Sequence, residues 1–185
     1  AQEHQVNKAV TRGIDKQLQT GRRYQDSLDL TFFADYYSMV FSKVKIENRL
    51  KRVRNLLVYT FLGFAIQRSQ SAVIPNTKQF QKADRILTRG NVRLDTKRYA
   101  IWWGLTHSKG DPFGRRKGRD GKDWTVTAGC KAARHPIDPV ALYLEYCRLM
   151  GFSLDPKSKL FKQQQQIPFF QELDRHGIPN GAPLS

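Results

Sequence analysis

The chain has 185 residues, with 32 Lys plus Arg against 16 Asp plus Glu, a formal charge of +16. Hydrophobic residues make up 39%, among them eleven Phe, seven Tyr and three Trp, which argues for a packed core and against general disorder. A cation excess on this scale points to a polyanionic partner, nucleic acid above all, and no apolar run approaches the ~20 residues of a membrane span.

Residues 1–20 predict a short polar helix broken near Gly13, followed by a basic connector, "GRRYQDS". "LTFFADYYSMVF" (30–41) predicts a helix with Thr31 as its N-cap. The strongest helical signal spans 43–68, where Leu50, Val53, Leu57, Phe61 and Phe64 form one apolar stripe. Lys45, Arg49 and Arg52 recur on a different face, so one face can join a core while the other meets phosphates. Taken singly, each of those cations is equally a solvated side chain. Pro75 closes this region.

Three segments then predict strands: "LTRGNVRLD" (87–95), "RYAIWWGLTH" (98–107) and "WTVTAG" (124–129). Tyr99, Ile101, Trp103 and Leu105 alternate on one face; the adjacent Trp102 and Trp103 either offer rings on which bases stack or, the reading preferred here, pack one inward while the other shields the sheet edge. Asp95-Thr96-Lys97 makes the first turn, and "SKGDPFGRR" (108–116) the second. "HPIDPVALYLEYCRLMG" (135–151) predicts a helix with Asp138 as N-cap, Pro139 at the first position and Gly151 at its end. Its stripe is Val140, Tyr143, Leu144 and Cys147. "KQQQQ" (162–166) reads as a loop, and "IPFFQELDRHG" (167–177) as a further helix cut short by "IPNGAPLS". The expected fold class is α+β: mainly helical, with a small three-stranded antiparallel sheet and no repeated βαβ pattern.

Common chemistries find no footing. No phosphate-binding loop, dinucleotide fingerprint or H-E-x-x-H zinc motif occurs, and His4, His107, His135 and His176 are scattered. Cys130 and Cys147 lack any metal-ligand spacing and read as reduced thiols. No metal and no small-molecule cofactor is expected.

What stands out is an arginine after a helix and a lysine at the head of a Gly/Asp/Pro turn. "LLVYTFLGFAIQRSQSAVIP" resembles the segment that carries the first catalytic arginine of tyrosine recombinases, the phage-integrase family. "LTRGNVRLD", "AIWWGLTHSKGDPF" and "HPIDPVALYLEYCRLMG" resemble the family's segments C-terminal to that arginine, and the likeness is greatest to integrases of DIRS-type retrotransposons and cryptons. It runs from about Leu28 to Phe161, and its force lies in the order and spacing of motifs that are each moderately specific.

The resemblance implies an integrase-type catalytic domain. In that family a tyrosine attacks a DNA phosphodiester, and charge gathers on the non-bridging oxygens. It implies that Arg68 donates paired hydrogen bonds to those oxygens and that Lys109 protonates the departing 5′-oxygen. Arg115, Arg116, Lys117, Arg119 and Lys122 behind the turn, like Lys45, Arg49 and Arg52, become contacts to the DNA backbone. The register near Arg68 has two solutions. Aligning "AV-x-P" puts Arg68 on the arginine and Ser71 on the family's glutamate, whereas aligning "SQ" puts Gln67 there and implies a dead site.

By the same resemblance, residues 1–27 are the tail of a core-binding helix plus linker, and 28–185 the N-terminal portion of a catalytic domain. The family's H-x-x-R motif and nucleophilic tyrosine are absent, so the chain is expected to be a fragment that binds DNA without cleaving it. Its expected partner is double-stranded DNA, with self-association on DNA at full length. Its expected place is inside the cell with DNA, the nucleus if the host is eukaryotic. Two other readings stay open: a non-catalytic DNA-binding remnant, and a generic basic RNA-binding protein.

Overall fold

The computed structural model describes residues 30–42, 48–65, 86–105, 120–130 and 137–185. Two helices open it, α1 (Leu30–Phe41) and α2 (Arg49–Phe64). Helix α1 already includes Thr31, which therefore lies within the first turn rather than capping it. The chain enters α2 through Asn48 in the left-handed conformation (φ 55°), which Asn tolerates better than most residues. The expected stripe of α2 is buried at its centre, where Val53, Leu57 and Phe61 are fully enclosed. Leu50 packs at the margin of the core, and Phe64 is 42% exposed. Leu56, Val58 and Thr60 are buried as well, because α2 packs between α1 and a later helix and so buries more than one stripe.

A 3-10 turn (Arg89–Asn91) leads into β1 (Val92–Asp95), β2 (Ala100–Leu105) and β3 (Asp123–Ala128), an antiparallel sheet in the order β1-β2-β3. The first strand is shorter than its sequence suggested, and Tyr99 belongs to the turn before β2, at φ 51°. Asp95 organises that turn by accepting from the backbone N–H groups of Lys97 and Arg98, each at 3.0 Å. Register sorts the strand residues onto two faces. Ile101 and Trp103 pair with Thr127 and Thr125, so on β3 the threonines face the core while Trp124 and Val126 face out. Thr127 then accepts the Trp103 indole N–H at 3.0 Å, which satisfies a polar group that burial would otherwise orphan.

Helix α3 (Pro139–Met150) is built as its sequence suggested. Asp138 accepts from Val140 N at 3.0 Å, Pro139 takes the first position, and Gly151 closes it at φ 66°. Val140, Tyr143 and Cys147 of the expected stripe are fully buried and Leu144 half-buried, with Leu142 and Tyr146 enclosed too.

Two expectations fail beyond this point. Part of the glutamine tract is helical: α4 (Lys159–Gln164) starts at Ser158, whose hydroxyl accepts from Phe161 N at 3.0 Å. The Gln164 side chain explains the order, because it accepts from Ser153 N and donates to the Gly151 carbonyl, both at 2.9 Å. The segment 167–177 is extended rather than helical. Pro168 bridges Thr88, Phe169 N donates to the Leu87 carbonyl at 2.8 Å, and β4 (Gln171–Leu173) pairs with β5 (Pro179–Pro183). The intervening Asp174–Gly177 is a turn: Asp174 accepts from His176 N and Ile178 N, and Gly177 adopts φ 77°.

The core gathers where α2, α3, β2 and the Phe169-Phe170 pair meet. Trp103 packs on Phe61 at 4.5 Å between ring centroids and edge-on to Phe169 at 5.8 Å. Each such enclosed side chain contributes roughly 1.5–3 kcal/mol. The molecule is therefore α+β, with helices on either side of a three-stranded sheet in the sequence and a second, two-stranded sheet after them.

Candidate nucleic-acid interface

Among the residues singled out from sequence, Arg68, Lys109, Lys45, Arg115, Arg116, Lys117 and Arg119 lie outside the described residues. Arg68 follows the end of α2, and Lys109 belongs to the connection between β2 and β3. Arg49 and Arg52 are placed, on consecutive turns of α2.

Arg49 is not simply a solvated cation. Its Nε donates to Glu145 Oε1 on α3 at 2.8 Å, and Arg148 grips the same carboxylate from one turn on, at 2.8 and 2.9 Å. Arg148, and then Arg49, hold the Glu145 carboxyl below its ordinary range. The trio ties α2 to α3 and keeps a net positive charge, with Arg148 far more open to solvent than Glu145. The spacing of Glu145 and Arg148 hints at their pairing, but Arg49 is 96 residues away and only folding reveals it. Arg52 reaches the Met39 sulfur at 3.9 Å.

Two further arginines are withdrawn from any ligand. Arg54, 6% exposed, donates to the Gln171 carbonyl at 2.7 Å, and burial lowers its pKa. Arg89, 1% exposed, donates to the carbonyls of Val92 and Ser153 and lies 4.6 Å over the Phe161 ring. Both serve the fold. Tyr146, the last tyrosine in the sequence, is likewise enclosed and donates its hydroxyl to the Phe169 carbonyl at 2.7 Å. Burial raises its pKa further, so as placed it presents no nucleophile.

The outward face of the three-stranded sheet combines cations with indoles. Arg93, Trp102 and Val126 form one cross-strand row, and Trp124 pairs with Gly104 beside it. Arg93 stands 4.3 Å over the Trp124 ring. A Cβ on Gly104 would come within 3.0 Å of that indole, so the glycine leaves the space in which Trp124 lies across β2. Asp120 accepts the Trp124 indole N–H at 2.8 Å, and Lys122 Nζ is held by Asn91. Arg93, Lys97, Trp102 and Trp124 line an open groove of about 520 Å³. The sequence singled out Trp102 and, as a phosphate contact, Lys122, but missed Arg93 and Trp124, whose common signal was the alternation of two short strands.

Among the described residues no cluster of His, Cys, Asp and Glu has the makings of a metal site, and no helix is long and apolar enough to cross a membrane. Compared with known proteins, the chain matches no family model, no curated protein and no solved structure.

Proposed function

We propose that this chain is the DNA-binding part of an integrase-type catalytic domain from a tyrosine recombinase of a mobile element. The observation that carries the reading is an order of parts: a helix leading to Arg68, then an antiparallel sheet whose β2–β3 connection contains Lys109. In that arrangement Arg68 neutralises a phosphate through its planar fork, and Lys109 delivers a proton to the departing oxygen. Lys45, Arg52, Arg115, Arg116, Lys117 and Arg119 hold the duplex by its phosphates, while Arg49, also expected there, is engaged by Glu145. The sequence has no H-x-x-R and Tyr146 is enclosed, so the chain by itself binds DNA without cutting it.

Salt titration of duplex binding tests the first half. About six phosphate contacts give a slope near −5 in log K against log salt concentration, and indifference to salt contradicts the reading. Covalent trapping tests the second half, using the chain extended to include a nucleophilic tyrosine. Adducts should vanish when Arg68→Ala and Lys109→Ala are combined, and adducts unaffected by that pair remove both roles.

A further inference from the structure

We infer that the outward face of the three-stranded sheet is a stacking surface for unpaired bases, with single-stranded DNA as its occupant and Trp102 as the platform. A duplex offers phosphates and base edges, and its base faces are closed to a side chain. An indole set between cations on an open sheet is therefore matched to a strand whose bases are unstacked. Trp102 is half-buried at the centre of such a row, between exposed Arg93 and Val126, the latter 45% exposed. Its neighbour Trp103 takes the core role, fully enclosed. A second indole core contact is thus unnecessary on this face.

Charge agrees with the occupant. Arg93 and Lys97 line the groove, and Lys122 Nζ lies 6.0 Å from the Trp124 ring, so cations border the face on which a strand's backbone would run. Two carboxylates share the surface, and both are engaged internally. Asp95 holds the backbone of the turn, and Asp120 holds the Trp124 indole. Trp124 is already stacked by Arg93, which leaves Trp102 as the platform and Arg93 as the cation beside it. The choice of DNA over RNA rests on the recombinase reading, whereas the stacking surface stands without it.

The test is anisotropy with the whole chain and three labelled ligands of about 12 nucleotides: oligothymidylate, an abasic strand with equal phosphates, and a duplex. Oligothymidylate should bind about tenfold tighter than the abasic strand, the contribution of one stacked base. Trp102→Leu should erase that difference while leaving duplex binding and the near-ultraviolet dichroism of Trp103 unchanged, and Trp102→Phe should keep most of it. Equal binding of the thymidylate and abasic strands overturns the inference, as does a folded Trp102→Leu that binds like the parent. If Trp102→Leu does not fold, the abasic comparison on the parent and the Phe variant decide. Tighter, Trp102-dependent binding of oligouridylate overturns the DNA assignment. Salt-independent duplex binding would sink the recombinase reading and leave this one standing.

Discussion

A Cβ built on Gly129 would stand 2.5 Å from Val140 Cγ2 and 2.7 Å from the Tyr99 ring, closer than real side chains come. Gly129 N also donates to the Tyr99 carbonyl at 2.8 Å, while the Tyr99 hydroxyl donates to Asp138 at 2.6 Å. One residue without a side chain thus lets the end of β3, the turn before β2 and the cap of α3 close together. Gly129→Ala is expected to cost about 1–3 kcal/mol by overpacking, read as a lower thermal midpoint. An unchanged midpoint would mean that the Tyr99 ring moves aside freely. The cysteines differ in the same local way. Cys147 is enclosed in α3 and burial pushes its thiol up to about 11, whereas Cys130 is only half-buried. With an aromatic disulfide reagent, Cys147 should react only as fast as the protein unfolds. Reaction of both thiols before unfolding contradicts that placement.

Elements whose ends carry their own chemistry were legible in the sequence. Asp138, Pro139 and Gly151 bound α3 by local rules, and the alternation of "YAIWWGL" marked β2. Elements fixed by distant partners were not. "IPFFQELDRHG" has helical composition, yet its backbone is drawn into pairing by residues 87–88 and 179–183, far along the chain. The "DRHG" at its end is a side-chain-nucleated turn that composition alone reads as a helix terminus. Arg54 ties α2 to this hairpin through the Gln171 carbonyl. Arg54→Leu should therefore cost about 1.5–3 kcal/mol, seen as a lower urea midpoint at constant slope. A midpoint equal to the parent's would show the carbonyl finding another donor.

At the scale of the whole molecule, charge decides the response to pH. Asp95, Asp120, Glu145 and Asp174 have folded pKa values below their ordinary ones, so the stability they contribute is present above about pH 4 and is lost as pH falls through the folded values. Once all 16 Asp and Glu are protonated, the 32 Lys plus Arg stand unopposed, and self-repulsion adds to the loss. Tyr36 and Tyr99 are raised to about 12, chiefly by burial, so their contribution is full below pH 10 and is lost between pH 10 and 12. Circular dichroism against pH should show a plateau with both edges, the acid edge moving lower on adding sulfate. An acid edge indifferent to salt would contradict the part given to repulsion. The basic excess was visible from composition, but its division was not: Arg54 and Arg89 went to the core and Arg49 to a carboxylate. Folding spends cations on its own carbonyls before any remain for a ligand.

The central claim is that Arg68 and Lys109, separated by 41 positions, serve one phosphate. A crystal structure of the chain bound to a duplex oligonucleotide tests it most directly. The expected result is the Arg68 guanidinium and the Lys109 ammonium both within about 3 Å of oxygens on a single phosphate. Finding the two cations on opposite sides of the molecule, or either one sealed in the core, would contradict the account.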